Sequence, residues 1–189
     1  MSRIIVDAVR NSSAGSDGIT LSSDGKVAFP NTSTGKILQA VSTTKTDTFS
    51  HNNQTPTLIT GLTATITPSS SSNKVLISVD ISASPSNTNY TCWFFLYKGG
   101  SEISGATGDT GLANQDRAFK SCRAYGTNDA LNISGTYLDS PSTTSATTYQ
   151  VYMAVESGIT NYINLQAANA NQVYNPRTTS SITVMEVAA

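Results

Sequence analysis

Groups that could do chemistry are few in this chain and lie far apart along it. The only imidazole is His51, in the polar run Ser50-His51-Asn52-Asn53-Gln54. A Ser-His-Asp hydrolase needs a histidine bonded both to its nucleophile and to an orienting acid, and this run supplies no acid, so His51 reads as a structural loop residue. Asp80, Asp139, Glu156 and Glu186 fall in or beside expected strands. Two of them could serve glycoside hydrolysis if the fold brought them together, but separation in space cannot be read from sequence, and scattered strand acids are ordinarily solvated. Asp109 and Asp116 in the segment from Gly108 to Asp116 come nearest to a calcium loop, without the ligand spacing of one. Cys92 and Cys122 read as reduced small hydrophobes, with a disulfide between them as the alternative. No G-x-S-x-G elbow, phosphate-cradling glycine loop, C-x-x-C or metal-spaced histidine pair occurs. The expectation is therefore no catalytic residue, no metal and no cofactor.

The elements that must position these groups are strands. Ser and Thr occupy more than a quarter of the 189 positions and charged residues only 12%, a usage that suits pleats and turns rather than salt-bridged helices. Net charge is −1 and the 11 basic residues are scattered, so no track for a phosphate backbone is expected. No apolar run approaches the roughly 20 residues that span a bilayer, and an acid interrupts the short apolar stretch at the start, so neither a membrane span nor a signal peptide is expected. Asn-x-Ser/Thr triplets, among them those at Asn11, Asn31, Asn89 and Asn132, are what chance gives in so hydroxyl-rich a chain.

Past residue 36, short alternating runs bounded by Ser, Asn, Gly or Pro recur with no helical period. They predict nine strands: 37–46, 57–67, 74–84, 90–98, 118–125, 130–139, 147–156, 161–167 and 180–187. The fold class is all-β, a sandwich. Val75, Ile77, Val79 and Ile81 share one face and should be core. Three strands carry apolar side chains on both faces. Tyr90, Cys92, Phe94 and Leu96 alternate with Trp93, Phe95 and Tyr97; Tyr149, Val151, Met153 and Val155 alternate with Tyr152 and Ala154; Ile182 and Val184 alternate with Met185 and Val187. With no helices to cover a second face, subunit contact is the expected cover. The alternative is a monomer with Tyr97 and Tyr152 lying flat on its surface.

Residues 1–36 differ in character. Ile19 to Phe29 reads as a hairpin turning at Asp24-Gly25, a pair suited to a type I′ turn, with Ile19, Leu21, Val27 and Phe29 on one face. A lone hairpin is marginal in water, so it should pack on a partner or on copies of itself. The Ile4-Ile5-Val6 cluster reads as a short strand or plug. Two turn-rich stretches remain, Gly99 to Arg117 and Ala168 to Thr179. The second carries Asn169, Asn171, Tyr174 and Arg177, amide, aromatic and guanidinium groups of the kind that bind sugars by hydrogen bonding and stacking.

Several strings in order resemble small tail-fibre-like virion structural proteins of marine tailed phages, especially cyanophages, over nearly the whole chain. They are the run from Met1 to Asp7, Asp17 to Gly25, Gly35 to Gln39, Gly61 to Ser70, Tyr137 to Pro141, Thr147 to Tyr149 and the closing Ser181 to Val187. The resemblance implies a trimeric jelly-roll head of the tumour-necrosis-factor and complement C1q class over residues 37–189, preceded by a short hairpin anchor over residues 1–36. It implies a homotrimer with Tyr149, Val151, Met153, Ile182 and Val184 at the threefold axis or the adjoining core. Docking to another virion protein would use Ile4, Ile5, Val6, Ile19, Leu21, Val27 and Phe29. The host surface, through a glycan, would be met by Asn169, Asn171, Tyr174 and Arg177. The localisation implied is the virion, with synthesis in the bacterial host cytoplasm. A capsid decoration protein of similar trimeric fold is the main alternative; a carbohydrate-binding module and a polysaccharide depolymerase are the others.

Overall fold

The structure is a computed structural model and describes residues 8–9, 19–21, 27–28, 36–109, 111, 115–126 and 129–189. Near the start, β1 (Ala8–Val9), β2 (Ile19–Leu21) and β3 (Val27–Ala28) form a three-stranded antiparallel sheet of their own. Leu21 pairs with Val27 and Thr20 with Ala28, which is the expected hairpin, and β1 adds a third strand. Its turn, Ile4-Ile5-Val6 and Phe29 lie outside the described residues.

From Ile37 onward the chain alternates between two sheets. One runs β4 (Ile37–Lys45), β14 (Ser180–Val187), β7 (Lys74–Pro85) and β11 (Leu131–Asp139). The other runs β6 (Thr57–Ile66), β12 (Thr147–Val155), β8 (Thr91–Lys98) and β10 (Lys120–Arg123). If these eight strands are counted in chain order, the sheets read 1-8-3-6 and 2-7-4-5. This is the double Greek key of a jelly roll, which sequence periodicity could not specify. Three short strands complete it. β5 (Phe49–His51) pairs with β13 (Asn161–Ile163), which pairs in turn with the end of β7, and β9 (Ser101–Glu102) pairs with the end of β8. Between β8 and β9 the two-residue turn Gly99-Gly100 has both φ positive, at 56° and 83°, which a type I′ hairpin requires and glycine provides without strain.

The long strands of the two facing sheets turn alternate residues inward, as a period of two demands. Val75, Ile77, Val79 and Ile81 on β7 face Phe94 and Leu96 on β8 and Tyr149, Val151 and Met153 on β12 in one cluster, and each is at most 2% exposed. All nine expected strands are present, with differences at their edges: Ser101–Glu102 forms β9 in a stretch expected to be loop, and β10 is confined to Lys120–Arg123. His51 lies on β5 rather than in a loop, because β13 pairs with it. The strand expected to run to residue 167 stops at Ile163, where Asn164 turns to φ 60°.

Candidate functional site

The loop 168–179 is held from beneath by Asn164. Fully buried, its amide donates to the carbonyls of Lys45 (2.9 Å) and Asp47 (3.0 Å), and its oxygen accepts from Ser180 Oγ at 2.7 Å. Thr178 Oγ1 donates to Ser82 Oγ at 2.8 Å, fixing the returning limb to β7. Between these points the chain makes tight turns: Asn169 N donates to Gln166 O, Gln172 N to Ala170 O and Asn175 N to Gln172 O. Asn169 sits at φ 38°, a left-handed conformation that asparagine tolerates better than most residues. Arg177 Nη2 donates to Asn169 Oδ1 at 3.0 Å and ties the two limbs.

These turns gather Asn169, Asn171, Gln172, Asn175 and Arg177 around a cavity of about 280 Å³. Three of the four residues expected to recognise a receptor therefore share one pocket. The fourth, Tyr174, is 66% exposed and does not line it. Asn175 Nδ2 donates to Ala170 O, while its shielded Oδ1 has no partner among the described residues. The pocket thus offers amide donors and acceptors with a guanidinium at its rim. It can hold a polyhydroxylated ligand, and it contains no nucleophile and base pair.

Three of the four acids considered for catalysis are already engaged, Asp139 and Glu186 standing in register with Val75 on either side of β7. Asp139 accepts from Tyr149 Oη at 2.7 Å and from Lys98 Nζ at 2.9 and 3.1 Å. Glu156 Oε2 accepts from Thr91 N, and Glu186 is enclosed by neutral donors. His51 Nε2 lies 3.1 Å from Thr55 O, a carbonyl rather than an acid. Among the described residues no group of three or more His, Cys, Asp or Glu could hold a metal. Cys92 and Cys122 face each other across β8 and β10 as free thiols.

Tyr149, Val151, Met153, Ile182 and Val184 all lie between the two sheets of a single subunit, none more than 1% exposed. They occupy the adjoining core rather than any surface that a second subunit could touch. The outward side of the same sheet carries a feature that sequence reading missed. Ala40, Met185, Leu76 and Leu138 stand in register across all four strands, and beside them runs a hydroxyl row of Ser42, Thr183, Ser78 and Thr136. Alternation had marked Met185 as the opposite of Val184, but only the pairing register aligns it with Leu76 and Leu138. On the outward face of the second sheet the rings of Tyr97 and Tyr152 stack on each other at 3.8 Å. Ile19, Leu21 and Val27 fall in the N-terminal sheet.

No protein-family model and no curated protein matches the chain. Among solved structures it is similar to the subunit of T=1 particles derived from infectious bursal virus, with a TM-score of 0.41 and 13% identity. The match covers 87% of this chain and 39% of that one, so the chain spans about two fifths of the length of the structure it matches.

Proposed function

We propose that this chain is a non-enzymatic virion structural protein. In this reading a homotrimeric jelly-roll knob is attached through residues 1–36 to another virion protein and presents the 168–179 loop to the host surface. The observation that carries the reading is the outward face of β4, β14, β7 and β11. Its in-register row of Ala40, Met185, Leu76 and Leu138 lies beside a row of four hydroxyl residues with no charge in either. Leu138 is 47% exposed in the single subunit. Two adjacent uncharged rows, one of them apolar, with Lys74 and Asp80 at their flanks, suit burial against copies of themselves. Trimerisation also multiplies a weak loop contact, because the second and third contacts become intramolecular, a gain of about 10²-fold or more.

The test is the solution mass. Light scattering should give about three times 19.8 kDa, and Met185→Glu, which places a charge in the centre of the apolar row, should give the single-chain mass with the sandwich still folded. A wild-type chain that is monomeric at all concentrations would overturn the trimer. Labelling of virions then places the copies: the tail is expected, and copies on head symmetry axes would replace the tail assignment with capsid decoration.

A further inference from the structure

Four cavities meet around one edge of the sandwich. The first, about 420 Å³, lies over the outer side of β8 and β10, with Trp93, Asp109, Asp116 and Arg117 in its wall. It shares Lys120 and Ser121 with the second, about 400 Å³, between the edge strands β10 and β11. The second shares Leu131 and Asn132 with the third, about 520 Å³. The third shares Arg177 with the amide pocket described above. Residues far apart in sequence thus line a series of cavities, each sharing a wall with the next, from an indole to an amide cluster.

We propose that this path is a single groove that binds a linear polysaccharide. A half-buried Trp93 at one end presents an apolar ring to the C–H face of a sugar, the usual way an aromatic residue meets a pyranose while its polar neighbours take the hydroxyls. The wall beside it is braced in advance: Arg117 Nε donates to Gly108 O at 2.8 Å, its Nη2 to Thr107 Oγ1 at 3.0 Å, and Gly108 N to Ala118 O. Bracing of this kind lowers the ordering cost of binding. At the far end the exposed amides of Asn171 and Gln172 can exchange hydrogen bonds with sugar hydroxyls. The charges exclude other polymers. Arg117, Lys120, Arg123 and Arg177 are offset along the path by Asp80, Asp109 and Asp116, so a phosphate backbone finds no continuous positive track. The lining has too little apolar surface for a lipid chain, whereas hydroxyl, amide and paired charges match a hydroxyl-rich chain of low charge.

The inference takes from the proposed function only the source of the glycan, a cell surface; the groove stands without it. The full-length protein is to be tested on an array of purified bacterial O-chain and capsular polysaccharides. Any polysaccharide retained is then followed by calorimetry with fragments of increasing length. Affinity should rise with fragment length until the groove is filled. Trp93→Ala and Arg177→Ala, at opposite ends, should each weaken binding by about tenfold, while Lys74→Ala, outside the path, leaves it unchanged. If Trp93→Ala does not fold, Asp116→Asn and Lys120→Gln, at exposed positions in the same wall, take its place. Retention of no polysaccharide, affinity independent of length, or binding that the variants at both ends leave intact would each overturn the groove. A trimer that binds no polysaccharide sinks this inference and leaves the proposed function standing; a monomer that binds one does the reverse.

Discussion

Glu186 Oε1 accepts a 2.6 Å hydrogen bond from Asn73 Nδ2, across 113 positions of sequence, in a site where the glutamate is fully buried. Ser69 N and Ser69 Oγ donate to the same oxygen at 2.7 Å, and Gln39 Nε2 donates to Oε2 at 2.6 Å. Asn73 Oδ1 in turn accepts from Ala189 N. The carboxylate thus ties the end of β14 to β4 and to the turn between β6 and β7, using neutral donors throughout. Burial pushes its pKa up, but the hydrogen bonds from Asn73, Gln39 and Ser69 outweigh burial and hold it at about 2.

Because the folded value is depressed, the stability this group contributes is complete above its ordinary value of 4.5 and is lost as pH falls from there towards 2. Glu186→Gln turns one acceptor into a donor that faces other donors, and it should lower unfolding free energy near neutrality by about 2–3 kcal/mol. Urea denaturation at a series of pH values checks both points. The gap between wild type and variant should narrow below pH 4.5, and a constant gap down to pH 2 would contradict the depressed carboxyl.

Asp139 joins the two sheets at one end, since it closes β11 while its partners Lys98 and Tyr149 belong to β8 and β12. Burial first, and then the hydrogen bond to Asp139, push the Tyr149 phenol above its ordinary value of 10. A raised folded value means that its stabilisation is complete below pH 10 and lost above it. Tyr149→Phe should cost about 1–2 kcal/mol by thermal denaturation. In an alkaline titration read at the tyrosinate absorbance, Tyr149 should ionise only together with unfolding; its ionisation in the folded protein would refute the buried bond.

Cys92 is fully buried opposite Cys122. The hydrogen bond with Cys122, followed by burial, pushes the Cys92 thiol up, which keeps it in its unreactive protonated form. Iodoacetamide near neutral pH should leave Cys92 unmodified in the folded protein and alkylate it once urea unfolds the chain. Mass spectrometry of the digested protein reads this directly, and rapid alkylation under native conditions would refute it.

Periodicity made the strands legible because alternation is local. Val75, Ile77, Val79 and Ile81 could be assigned to one face from their spacing alone, and that face is core. β5 was invisible because Phe49–His51 is three residues with one apolar side chain, and β13 across the sheet makes it a strand. Spacing also showed that Val184 and Met185 oppose each other without telling which looks inward, since that depends on the position of the other sheet. The Trp93 cleft was harder still. Asp109 and Asp116 reach it from outside the strands, in a placement that no local pattern encodes. The 168–179 pocket was easier, because its amides lie within a few residues of one another.

β14 lies between β4 and β7, so the middle of its sheet is filled by the last of these three strands to leave the ribosome. β4 emerges more than a hundred residues before the neighbour that holds it in place, and most of the ladder can close only after residues 180–187 have been released. Such long-range pairing is slow, which leaves the early strands dependent on protection from wrong partners while they wait.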